Sequence, residues 1–314
     1  MPRISHLAAA CALALCAQAA QAQQFSGVIS FGDSLSDAGN ASTVNPGAAD
    51  GNSFTTNDDL VAAQLIAAAY GFNQQHSLIG GTNYAWGGSC AQSSTAPAPL
   101  PPHCVQQPFV GLGGVTYFPR LDAQIDQYLA SNAGRANPNA LFTVLSGAND
   151  IFAAITGERN SMGVVTRAPI WTNSALISAG SAGVAGAVIT NVARLQSVGA
   201  NYIVVFNLPD LGRTPQFSGT AAPFNLASVS YNEALNAGLA GRQGIIPVNT
   251  FALVNEAIAN PGYFGFTNVV GIACGANAGA VGIVGGAARV RSHRGNLLYG
   301  GPIPEPDRRI CHFA

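Results

Sequence analysis

Charge is scarce in this sequence: Asp, Glu, Lys and Arg make up 9% of its 314 residues, against roughly 25% in ordinary soluble domains. The formal net charge is −1, so nothing points to a nucleic acid or an acidic membrane surface as partner. Metal-ligand spacing is missing too. No C-x2-C or H-x3-H pattern occurs, which removes a structural zinc site, and no motif calls for a cofactor. Internal repeats and a clear interdomain linker are also absent. The apolar run near Leu7 to Ala17 is too short to anchor the chain across a bilayer.

What is present begins with that run. "MPRISHLAAACALALCAQAAQAQQ" has Arg3 in a short basic region and Ala20-Gln21-Ala22 as a small-x-small cleavage site, the pattern of a secretion signal over residues 1–22. Leu15 stands where a lipoprotein box needs a small residue, which argues against lipidation of Cys16. A mature chain starting near Gln23 carries no integral membrane segment. It keeps Cys90, Cys104, Cys274 and Cys311 in an oxidising compartment, secreted or periplasmic. Cys90 and Cys104 flank the loop "SSTAPAPLPPH". A bridge between them closes about 15 residues and stabilises by roughly 3 kcal/mol.

Short apolar runs then alternate with helical patterns, which predicts an α/β domain with a parallel sheet. "GVISF" (27–31), "ALFTVLSG" (140–147) and "NYIVVFNLP" (201–209) read as strands covered on both faces, with "GIIPV" (244–248) a weaker fourth. Helices are expected over 57–71, with Asn57 as N-cap and Gly71 as stop. Others are expected over 118–131, 174–198, 224–240 and 249–262. In 118–131, Leu121, Ile125 and Leu129 share one face. The stretch 174–198 is apolar enough for a membrane span, but its glycines favour a packed helix. "GLGG" (111–114) is a poor nucleotide-binding loop, lacking a strand–loop–helix context and a downstream acid.

Polar clusters follow the strands, where open α/β sheets hold their ligands. "GDSLSD" follows the first strand, "SGAND" (146–150) the next and "NLPDLGRTP" (207–215) another, while "GGTNYAWGGS" (80–89) reads as a Gly-rich loop. Ser34 is the candidate nucleophile, expected at a helix N-terminus that favours developing negative charge. Gly32 allows a sharp turn before it, and Asp33 can cap that turn. A tetrahedral oxyanion needs fixed donors about 2.7–3.1 Å away. The Ser34 N–H, the N–H of a glycine in "WGGS" and the Asn149 side-chain amide suit that need.

"FGDSLSDAGN", "GGTNYAWGGS" and "LSGAND" resemble the first three sequence blocks of the SGNH (GDSL) esterase/lipase family. The variety most similar is the passenger domain of secreted and autotransported bacterial esterases. "NLPDLGRTP" and "ANPGYFGFTNVVGIAC" extend the resemblance, which covers about Ser26 to Cys274. It implies a flavodoxin-like three-layer α/β/α sandwich with a five-stranded parallel sheet over residues 23–274. It also implies hydrolysis of small-molecule or lipid carboxylic esters. Ser34 matches the nucleophile, Asn149 the oxyanion asparagine, and Gly88 the second-block glycine, with Gly87 the alternative. Asp150 is expected to be a structural residue of the turn.

The family's last block, an Asp-x-x-His pair, occurs nowhere in this sequence. The mature histidines are His76, His103, His293 and His312; the first two are expected on surface loops. His293 lies among arginines. His312 follows Asp307 at a spacing of five and is the remaining candidate base. The composition also shifts abruptly over 275–314, where a Gly/Ala/Val/Ile run gives way to arginines. A reading-frame change after Cys274 would account for both features, and the coding DNA past Gly285 tests it. The chain as written is therefore expected to be an impaired esterase. An acyltransferase using the same acyl-enzyme and a non-catalytic binding module are the alternatives.

Overall fold

The computed structural model describes residues 25–44, 53, 60–91, 108–111, 114–117, 119–159, 165–269 and 296–297. The candidate signal, the Pro-rich loop, Asn57, Cys104, Cys274, Cys311, His103, His293 and His312 lie outside them.

Four strands form the central sheet: β1 (Val28–Gly32), β2 (Leu141–Leu145), β3 (Tyr202–Phe206) and β4 (Ile245–Val248). They pair in that order, all parallel. Every residue of β1 and of β2 is buried, so both faces are covered, as continuous apolar strands require. The covering helices are α1 (Asn40–Val44), α2 (Ala62–Ala69), α3 (Leu121–Ser131), α4 (Ala148–Thr156), α5 (Ser174–Ser197), α6 (Ala221–Leu239) and α7 (Thr250–Ala259).

The fifth position of the sheet is occupied without a regular strand. Residues 82–86, expected as a loop, run parallel to β1 through a single bridge between Ser30 and Asn83. Ser30 N–H donates to Thr82 O at 3.0 Å, Tyr84 N–H to Ser30 O at 2.7 Å and Trp86 N–H to Gly32 O at 3.1 Å. The ladder is interrupted at Gly32, whose N–H donates to the Gln124 side chain instead, at 2.8 Å. With this segment second in sequence, the spatial order is 2-1-3-4-5, the flavodoxin-like order whose switch point lies between β1 and β2.

Local chemistry fixes several boundaries. Helix α2 starts at Ala62, later than expected, where the Val61 N–H is capped by Gln64 Oε1 at 3.1 Å. Helix α3 begins two residues after Pro119 and buries Leu121, Gln124, Ile125, Tyr128 and Leu129. Burying each large apolar side chain there contributes roughly 1.5–3 kcal/mol. Helix α5 is long and apolar enough to cross a membrane. Its buried residues, Ile177, Ser181, Val184, Ala185, Val188, Val192 and Leu195 among them, recur at helical spacing, and it packs along α6. Gly111 and Gly114, the ends of "GLGG", face each other across an antiparallel strand pair.

Candidate active site

Gly32 ends β1 with a φ of +148°. A Cβ there would lie 2.1 Å from the Leu145 carbonyl oxygen, so only glycine lets the chain leave the sheet at this point. Asp33 N–H then donates to that carbonyl at 3.1 Å, which ties the start of the first loop to the end of β2. Ser34 follows, 9% exposed. It sits in a tight turn closed by Ser36 N–H to Asp33 O at 3.0 Å and Asp37 N–H to Ser34 O at 3.3 Å. This corrects the expected helix N-terminus: α1 starts only at Asn40. The turn geometry, rather than a helix end, presents the serine. As expected, Asp33 caps it, with Oδ1 accepting Leu35 N–H at 3.1 Å.

Asp37 holds the second loop against the first. Its carboxylate accepts the N–H groups of Gly39 (2.8 Å), Asn40 (2.7 Å), Ala41 (3.0 Å) and Gly87 (2.7 Å). The Gly87 N–H is thereby engaged, whereas the Gly88 N–H makes no hydrogen bond among the described residues. Gly88 adopts a φ of +77°. Asn40 reinforces the seam by donating to the carbonyls of Asn83 (2.9 Å) and Ala85 (3.0 Å). Asn83, fully buried, donates back to Ser36 O at 2.7 Å.

The third loop leaves β2 through Gly147, whose φ is +119°. A Cβ there would come 2.7 Å from the Tyr231 ring. Asn149 lies in the first turn of α4 and is buried. Its side-chain amide donates to Ser89 O at 2.7 Å, so the third loop is fastened to the second. Asp150 accepts Ala91 N–H at 2.9 Å, in keeping with the structural role expected for it.

Beneath this rim lies a buried acidic group. Asp33 Oδ2 has no partner among the described residues. Burial, with the Asp150 charge adding, pushes the Asp33 carboxyl from the ordinary 3.8 to about 7, while the Leu35 N–H opposes the rise. Burial also raises Asp37, against four backbone N–H groups that favour its ionised form. Tyr231 donates to Ser146 O at 2.7 Å; burial and the two nearby aspartates hold its hydroxyl well above its usual range, so it stays a neutral donor.

His76 is the one histidine among the described residues, and it is not on the surface. It is 3% exposed because the turn that carries it packs beneath α1, where Nε2 meets Thr43 Oγ1 at 3.3 Å. Burial lowers its basicity. It makes no hydrogen bond to Ser34. Gln124 was not anticipated. It occupies the apolar stripe of α3, and a glutamine at that spacing, between Leu121 and Ile125, was the available signal.

The segments that carry Ser34, Gly88 and Asn149 are thus tied to one another at the sheet's switch point. Residues 28–262 match the profile described as GDSL-like Lipase/Acylhydrolase. This chain belongs to that family. The family accounts for the α/β fold and for the expected class of ester hydrolase. Among relatives, a Pseudomonas putida protein described only as an uncharacterized protein in the trpE-trpG intergenic region is 33% identical, over 98% of this chain and 48% of its own. Lipase 1 of Photorhabdus luminescens is 26% identical, over 82% of this chain and 45% of its own. Esterase EstA of Pseudomonas aeruginosa is 28% identical, over 84% of this chain and 42% of its own. The chain spans less than half the length of these relatives.

Proposed function

We propose that this GDSL-family chain is an exported carboxylic-ester hydrolase whose nucleophile is Ser34. The Ser34 hydroxyl attacks the ester carbonyl and gives up its proton to a base. The Ser34 N–H, the Gly88 N–H and the Asn149 amide hold the tetrahedral oxyanion. Collapse expels the alcohol, and water then releases the acyl group from the serine. The observation that carries this reading is the fastening of the three loops: Asp33 N–H to Leu145 O at 3.1 Å and the Asn149 amide to Ser89 O at 2.7 Å. The engagement of Gly87 by Asp37 favours Gly88 over its neighbour as donor.

The base is the weak member. No Asp-x-x-His pair exists in the sequence, and His76 is engaged with Thr43. His312, without a carboxylate at the family spacing, is the proposed base, and turnover is accordingly slow. The oxyanion donors alone sustain a residual rate above water.

A fluorophosphonate probe and a short-chain aryl ester test this together. Wild-type protein is labelled at Ser34, and Ser34→Ala is not. Asn149→Ala stays folded and is acylated about 10²–10³-fold more slowly. A turnover in the ordinary range of about 1–10³ s⁻¹, lost in Ser34→Ala, overturns the impairment. Failure of wild-type Ser34 to label overturns the hydrolase reading and leaves a non-catalytic module.

A further inference from the structure

The Gln124 side chain is fully hydrogen-bonded close to the rim, and the mechanism above makes no use of it. Fully buried on α3, it reaches across to the end of β1 and grips Gly32 at both backbone atoms. Its Oε1 accepts Gly32 N–H at 2.8 Å and its Nε2 donates to Gly32 O at 2.8 Å. The same Nε2 lies 2.9 Å from Ser89 Oγ and 3.0 Å from Pro119 O, and Ser89 Oγ in turn donates to Pro119 O at 3.0 Å. A primary amide has two N–H groups. One serves Gly32 O, and the second is shared across the Ser89–Pro119 pair.

These contacts reach the first loop at its origin and the second just past Gly88, and Ser89 carries them on to the third. Gly32 lies two residues before Ser34, and Ser89 directly follows Gly88. The Ser89 carbonyl is also the anchor of the Asn149 amide. We infer that Gln124 is the positioning residue of the oxyanion pocket, setting the separation between the Ser34 and Gly88 N–H groups through a single rigid amide. This inference rests on the hydrolase reading above. Its physical basis is that oxyanion donors work only within a few tenths of an ångström of their target. A misplacement of about 1 Å can cost about 10²-fold. An apolar side chain of the same length fills the space but leaves the Gly32 groups to find new partners, so the two loops drift apart without the fold being lost.

The test is the kinetics of Ser34 labelling by a fluorophosphonate, resolved into reagent affinity and maximal rate, in folded Gln124→Met and Gln124→Glu. For Gln124→Met the maximal rate falls about 10²-fold, while the affinity shifts less than about threefold. A purely structural role would lower the melting temperature and leave the rate of the folded fraction unchanged; that outcome overturns the inference. Gln124→Glu carries the test should the methionine variant not fold. Its neutral acid offers one donor and one acceptor in the same two-point geometry, and its carboxylate offers no donor. Its labelling rate relative to wild type therefore recovers as pH falls from about 8 to about 5. A ratio that is flat and near one also overturns it. Absence of labelling in wild type removes the hydrolase reading, and this inference with it; normal labelling of Gln124→Met removes this inference alone.

Discussion

The two edges of the central sheet are finished in opposite ways. On the β1 side, residues 82–86 cover the edge, and a continuous polar web of Asp37, Asn40, Asn83 and Gln124 joins them to the first loop. On the β4 side, Ile246 is 43% exposed and α7 buries only Ala257. Buried polar bonds are costly to leave half-made, so they accumulate where position matters more than stability. The candidate site lies on the guarded side of the sheet, and the open edge is where substitution is cheap.

The largest effect that sharpens this contrast is expected at Asp37. Replacing it with Ala leaves the N–H groups of Gly39, Asn40, Ala41 and Gly87 without their acceptor, and stability falls by about 3–5 kcal/mol. Asp37→Asn recovers only part of this, because an amide turned toward one pair of N–H groups opposes the other. Chemical denaturation measures both. A loss under about 1 kcal/mol for Asp37→Ala would mean the web is ornamental, and the edges would then differ in appearance only.

Asp33 gives a smaller, pH-dependent effect. Its folded carboxyl titrates near 7 against an ordinary 3.8, so the folded chain holds this proton more tightly than the unfolded chain. The stability that follows is fully present below about pH 4 and is lost as pH rises through about 7. Asp33→Asn keeps an oxygen for the Leu35 N–H and cannot ionise. Relative to wild type it therefore gains stability between about pH 4 and about pH 8, by a few kcal/mol at most. Thermal melts of both proteins across that interval read the sign directly. A difference that is constant with pH would show that Asp33 is solvated, and that the β1 rim is wetter than its burial indicates.

Much of this arrangement is legible in the residues, for a physical reason. β1, β2 and β3 are apolar runs interrupted only by Ser30 and Thr143, which bond each other, and such runs mark strands covered on both faces. Ser34 sits in the turn directly after β1, and Asn149 and Asp150 in the first helical turn after β2, where parallel sheets gather ligands. What escaped was long-range and polar. Nothing near Gln124 in sequence tells that it bonds Gly32, 92 residues away, and that one bond interrupts the ladder at the fifth position. His76 was misplaced on the surface for the same reason, since its burial depends on Thr43 and the packing of α1. Loop composition predicts a loop, but it does not predict which loops are stitched together.

The smallest expected effect tests the open edge. Leu253 is 50% exposed on α7, and Leu253→Ser removes apolar surface that water already reaches. The stability change should lie within about 0.5 kcal/mol, with Ser34 labelling unchanged. Ile125, fully buried on α3, is the matched control: Ile125→Ala opens a cavity and costs about 2–5 kcal/mol. A loss at Leu253 approaching that of Ile125 would mean that α7 is packed in solution against apolar surface. The two edges would then be equally closed, and the placing of the site would need a cause other than the one drawn from their difference.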